Sequence, residues 1–152
     1  MGTYTNFKFD ATLRRDLPRT LTDYIRHRLD SGVPFLEDIP LDDHPFFQCH
    51  RWTWVLTWHN CNGNGFKAWC KDTENGLVIH IDTELKNYCH SIEWFLLWIA
   101  PMVDLSFPCT KEIAVEGDDA EDNGDCSDLM RKIQERIAVG ETGTQLLFGE
   151  ER

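Results

Sequence analysis

From Arg51 the chain alternates with a period of two. Trp52, Trp54, Leu56 and Trp58 fall on one side, and Arg51, Thr53, Val55, Thr57 and His59 on the other, which predicts a strand. Asn60–Gly65 is a glycine-rich connection, Phe66–Lys71 a short strand, and Asn75-Gly76 a tight-turn signal because both residues accept positive φ. Leu77, Ile79, Ile81, Thr83 and Leu85 then alternate with Val78, His80, Asp82 and Glu84. The pattern predicts an antiparallel meander over residues 51–85. Upstream, Phe7, Phe9, Ala11 and Leu13 alternate with Asn6, Lys8, Asp10 and Thr12, a first strand within residues 3–13. Leu21, Tyr24, Ile25 and Leu29 recur at helical spacing, so residues 17–30 read as a helix with Asp16 as its N-cap. Residues 31–48 carry three prolines and no period, and read as a long loop pinned by Phe35, Phe46 and Phe47.

The second helix, residues 89–100 behind a possible Asn87 cap, is apolar almost all round. Ile92, Phe95, Leu96, Ile99 and Val103 form one stripe, and Trp94, Leu97 and Trp98 lie roughly opposite. Pro101 limits or kinks it. Either later residues cover the second stripe or it binds something. Thr110–Val115 reads as a last strand, residues 116–125 as a solvated acidic loop with six carboxylates, and residues 126–139 as an amphipathic helix capped by Asp125 or Ser127. The tail holds an apolar knot, Leu146-Leu147-Phe148.

The order β-α-β-β-β-α-β-α implies an α+β fold: an antiparallel sheet of four to five strands, two helices on one face and a C-terminal helix. A core over 1–115, the acidic loop and the 126–152 segment belong to one domain, since 152 residues suit a single core. No apolar run is long enough to span a membrane, and the opening residues show neither a signal peptide nor the myristoylation pattern. Six cysteines without an export signal suggest free thiols in a reducing cytosol. The net charge of −11 disfavours direct nucleic-acid binding and favours basic partners or plain solubility.

Two stretches, YTNFKFDATLRRDLPRTLTDYI and IDTELKNYCHSIEWFLLWIAPMV, resemble a group of small proteins encoded by tailed bacteriophages. The shared pattern is a strand, a D-x-P-led helix, an aromatic strand, then K-N-Y and a helix reading I-E-x-F-L-x-W-I-x-P. Here it falls on Lys86, Asn87, Tyr88, Ile92, Glu93, Phe95, Leu96, Trp98, Ile99 and Pro101, within a resemblance running over residues 3–103. The chain departs from the pattern at Leu97, where a polar residue is usual, and in the acidic loop and helix after residue 116. The resemblance implies a phage or prophage product in the host cytosol, and no particular activity. Accessory phage proteins of this size often block a host enzyme or defence complex.

The leading expectation is therefore a non-enzymatic protein without a cofactor that inhibits a host protein or protein–nucleic-acid complex. Its partner surface would combine Trp94, Leu97 and Trp98 with Asp118, Asp119, Glu121 and Asp122, the carboxylates mimicking a phosphate track. A homodimer through the apolar helix face is a variant of this idea. A second expectation is a sponge for a nucleotide-type signal, held by Arg51, Lys67, Trp69, Lys71 and His80 on the polar side of the meander. A third is Cys/His chemistry, a nucleophilic pair of Cys89 with His59 or His80, or zinc held by His59, Cys61 and the Cys89-His90 turn. No C-x2-C pair supports a metal site, and adjacent strand residues such as Cys49-His50 point to opposite faces.

Overall fold

The computed structural model describes residues 4–29, 44–49, 52–56, 68–87, 90–115 and 122–148. Its centre is the first strand, β1 (Thr5–Thr12). On one side β1 pairs with β3 (Gly76–Leu85), which pairs in turn with β2 (Trp69–Thr73). On the other side it pairs with β4 (Thr110–Val115), which carries β5 (Asp122–Asp125). The sheet order is β2-β3-β1-β4-β5, with every pairing antiparallel. Around it stand α1 (Arg19–Leu29), α2 (Trp52–Val55), α3 (Ser91–Ile99), α4 (Ser127–Ala138) and α5 (Gln145–Phe148). This is the expected α+β fold.

The register sorts the sheet into two faces. Phe7, Phe9 and Ala11 of β1 and Leu77, Ile79, Ile81 and Leu85 of β3 are buried on the inner face. On that face Phe95 of α3 stands edge-on to both Phe7 and Phe9, with centroids at 5.8 and 5.5 Å. Edge-to-face packing sets the positive ring edge on the negative face and adds to plain burial. α1 buries Ile25 and Leu29 and reaches the edge strand through Arg26, whose guanidinium grips Asp72 at 2.6 and 3.1 Å.

The apolar second stripe of α3 finds its cover inside the chain. A 3-10 turn, Pro45–Gln48, brings Phe46 to 5.5 Å from Trp98 and Phe47 to 5.1 Å from the same ring. Met130 and Ile133 of α4 are fully buried. Gln134 fixes the α4 side by donating to the Ala100 and Val103 carbonyls at 2.8 and 3.0 Å, satisfying the 3-10 turn that Pro101 helps to form. Asn87 accepts from the Ile92 amide at 3.0 Å and so caps α3, with His90 in the left-handed region at φ 58°. The N-cap of α4 is Cys126 rather than Asp125 or Ser127, and Asp125 just before it accepts from the Ser127 amide at 2.8 Å. Asp16, by contrast, turns to Arg14 at 3.3 Å rather than capping α1.

Two expectations are overturned. Trp52–Val55 is a helical turn and not the start of a strand, so among the described residues the meander is β2 and β3. Trp52 packs among Tyr24, Phe46 and Phe47 with Arg28 over its ring, contacts a sheet position does not offer. Residues 57–67, including the predicted glycine-rich connection, lie outside the described residues. The end of the acidic segment, Asp122–Asp125, is an edge strand rather than loop, because pairing with β4 needs backbone groups and no apolar side chain. Among the described residues no helix is long and apolar enough to cross a membrane.

Gly76 opens β3 at φ +128°, and a Cβ there would stand 2.2 Å from the Leu13 carbonyl oxygen. Gly124 has φ +114° with open space around it. Gly76→Ala should therefore cost on the order of 3 kcal/mol or more, strain plus a backbone clash. Gly124→Ala should cost only about 1–2 kcal/mol, the left-handed backbone penalty alone. Urea unfolding of the two variants checks this, and equal losses would refute the close approach at Gly76.

Candidate functional site

α3 runs along the inner sheet face with Trp94, Leu97 and Trp98 turned away from the strands. Leu97 and Trp98 are buried, at 2 % and 4 % exposure, so they do not form the adhesive surface that their pattern suggested. The helices and turns of the same chain cover them. Trp94 is only half-buried; Phe148 of α5 packs on it at 4.9 Å and His44 lies edge-on at 6.1 Å. The tail knot thus docks on α3.

Where this cover stops, a groove of about 440 Å³ remains. Trp94 edges it, Leu97 and Trp98 floor it, and Pro45, Met102 and Ile137 supply more apolar wall. Thr142, Thr144 and His44 bring polar atoms to its rim. His44 accepts the Phe46 amide through Nδ1 at 3.1 Å, which orients the ring at the mouth. Gly143, at φ +81°, lets the segment before α5 close one wall; a Cβ there would stand 3.3 Å from Leu97 and 3.4 Å from Ile133. The groove falls in the size range of small-ligand and side-chain pockets, roughly 300–1,000 Å³.

The outer sheet face carries the described part of the expected small-ligand site. Trp69, exposed, stacks on its cross-strand partner His80 at 5.3 Å, and Lys71 follows two residues along. His80 Nδ1 lies 2.6 Å from Asp10 on β1. The register also places Asp82, Glu84 and Glu112 on this face, Asp82 and Glu112 opposite Lys8 and Glu84 opposite Asn6. Burial pushes the Asp82 carboxyl up from its ordinary range, opposed by Lys8. Four carboxylates against Lys8 and Lys71 make this a poor seat for an anion. Trp69, Lys71 and His80 do come together; Arg51 and Lys67 lie outside the described residues, as do Asp118, Asp119 and Glu121. Asp122 sits in β5 opposite Ile113.

The Cys/His expectation fares differently. His59, Cys61 and Cys89 lie outside the described residues, and among the described ones no three His, Cys, Asp or Glu side chains gather as a metal site. Cys109 and Cys126, unremarkable in sequence, face each other across the β4–β5 ladder with Sγ atoms 3.0 Å apart in the core. The Cys126 amide donates to the Cys109 carbonyl at 2.9 Å. Sharing a hydrogen bond with Cys126, and burial, push the Cys109 thiol far up; the same bond holds Cys126 below its usual range, helped by Lys111.

Nothing in the periodicity marks Arg14, Arg15, Arg19 and Arg26 as a group, yet they line one cleft of about 590 Å³ at the start of α1. The available signal is the crowding of three arginines into six residues of an acidic chain.

Comparison with protein-family models, with curated proteins and with solved structures finds no match.

Cys109 and Cys126 are 17 residues apart in sequence. Incubation with oxidised glutathione should join them: both thiols lose their protons, the Sγ–Sγ bond forms, and two molecules of reduced glutathione leave. The intact mass should fall by two hydrogens and stability should rise by about 3 kcal/mol, the loop-closure value for a ring of roughly this length. Glutathione adducts without an internal bridge would contradict the pairing.

Proposed function

We propose that this chain is a non-enzymatic binding protein that captures an apolar anchor of a basic protein partner in the groove beside Trp94. What carries the reading is the groove itself: an apolar floor and walls, a polar rim, and one half-exposed tryptophan. Such a recess takes a single large side chain, and a buried aromatic anchor is the usual centre of a protein interface. The net charge of −11 favours a basic partner and speeds encounter with it at low salt. The phage-type accessory role implied by the resemblance would make that partner a host protein or protein–nucleic-acid complex. The carboxylates of residues 116–125 would add charge to the encounter, as composition alone suggests.

The outer face supports no equal case for catalysis. The His80–Asp10 pair is oriented well enough to move a proton. Yet the alternation of the described strands puts no serine or cysteine beside it on that face. A homodimer through α3 has less support, since Leu97 and Trp98 are already enclosed.

A lysine-rich dodecapeptide with one central tryptophan is a direct probe of this groove. Titrated into labelled protein, it should move the methyl resonances of Leu97, Met102 and Ile137. Affinity should fall at least tenfold between 50 and 500 mM salt, as screening removes the charge term. It should fall as far when the peptide tryptophan is replaced by glycine, or when Trp94→Ala is used. Shifts confined to the acidic segment, or indifference to the peptide tryptophan, would overturn the groove as the site.

A further inference from the structure

The cleft at the start of α1 stands apart from the groove and from the outer face. Its walls are the turn after β1, the first turns of α1, and the β2–β3 hairpin. Arg14, Arg15, Arg19 and Arg26 line it together with Asp23 and Asp72, four positive charges against two negative in a chain whose overall charge is −11. Leu17 and Leu77 give it an apolar patch.

The six charges are not equally engaged. Arg26 holds both carboxylates, Asp23 at 2.7 Å and Asp72 at 2.6 Å, and so neutralises the acidic side of the cleft. Its guanidinium is stabilised in the charged form by these contacts, the Asp72 hydrogen bond foremost. The other three are loosely tied. Arg14 reaches Asp16 at 3.3 Å, with the aspartate side chain 75 % exposed. Arg19 reaches Asp23 only at 3.6 Å, its own side chain 91 % exposed. Arg15 donates to the Glu74 carbonyl at 3.2 Å and meets no carboxylate among the described residues. Solvent-exposed pairs of this kind hold little energy, so an incoming anion can replace them.

A second observation points the same way. The first turn of α1 carries no acidic residue, and it begins with Arg19. A cation at the positive end of a helix dipole is unfavourable, and two further arginines stand just upstream. Positive charge tied only by such exposed pairs is relieved by a bound anion.

We propose that this cleft binds a phosphate-bearing small molecule of nucleotide size, held by Arg14, Arg15 and Arg19 at the start of α1. Guanidinium groups meet phosphate oxygens through paired, charge-assisted hydrogen bonds. The cleft volume of about 590 Å³ admits a phosphorylated compound with a small apolar body against Leu17 and Leu77. Nucleic acid fits less well. A long phosphate track would lie in the field of the whole acidic chain, whereas a small ligand meets mainly the charges within a Debye length of about 8 Å. The inference is independent of the protein-partner reading, because the cleft shares no lining residue with the groove.

Titration of the full chain with pyrophosphate and with adenosine diphosphate, at ionic strength matched with sodium chloride, tests it. Binding should appear by calorimetry, and the backbone amides of Arg15 and of Arg19 to Thr22 should shift in NMR spectra. Arg15→Gln combined with Arg19→Gln should weaken binding about tenfold or more, as two charge-assisted contacts are lost. Arg131→Gln, an exposed position on α4, should leave it unchanged. No heat beyond the chloride control, or shifts away from the cleft in the wild-type chain, would overturn the proposal. So would unchanged affinity in the double variant, or tighter binding of a single-stranded oligonucleotide than of adenosine diphosphate.

Discussion

The structure depends on α3 being buried from two sides. A helix that is apolar all round cannot lie on a sheet with its back to water, because each large apolar side chain left exposed forfeits about 1.5–3 kcal/mol of transfer free energy. Phe95 and Ile92 go down onto the strands and are fully buried. Leu97 and Trp98 go up, and the chain supplies a second layer to meet them: Phe46 and Phe47 pack on Trp98, and Gly143 fits between Leu97 and Ile133 of α4. The 3-10 turn at Pro45, the helical turn at Trp52 and the docking of α4 all follow from that need.

The same constraint sets where the surface is interesting. The second layer ends before Trp94 is enclosed. The result is an apolar recess with one tryptophan at its edge, closed on one side by a glycine that admits the chain to within van der Waals distance of Leu97. The far side of the sheet is built differently. There the side chains are charged and pair along the strands, His80 with Asp10 and Lys8 between Asp82 and Glu112.

Much of this was legible from side-chain periodicity. β1, α1, β3, α3, β4 and α4 fall within or close to the expected spans, because each has a strong period and an identifiable start or stop. Trp52–Val55 did not read correctly: alternating Trp and Thr imitates a strand, while part of the packing that decides the matter, against Tyr24, is distant in sequence. β5 has no apolar residue to betray it and exists through its backbone pairing with β4. The central place of β1 is a matter of pairing, which no local pattern encodes. At the candidate sites, the pattern singled out Trp94 but could not tell a floor residue such as Leu97 from an exposed one. It passed over the arginine cleft and the Cys109–Cys126 pair because both arise from segments that meet only on folding.

Native-state hydrogen exchange of the α3 amides tests the two-sided burial most directly. If α3 is the shared floor of both layers, the amides of Phe95 to Ile99 exchange only when the whole molecule unfolds. Their exchange free energies then equal the global stability from urea unfolding, and both fall together in a destabilised variant such as Phe95→Ala. Exchange through a smaller opening, with free energies well below the global value and insensitive to denaturant, would show that the upper layer is not a structural part of the core.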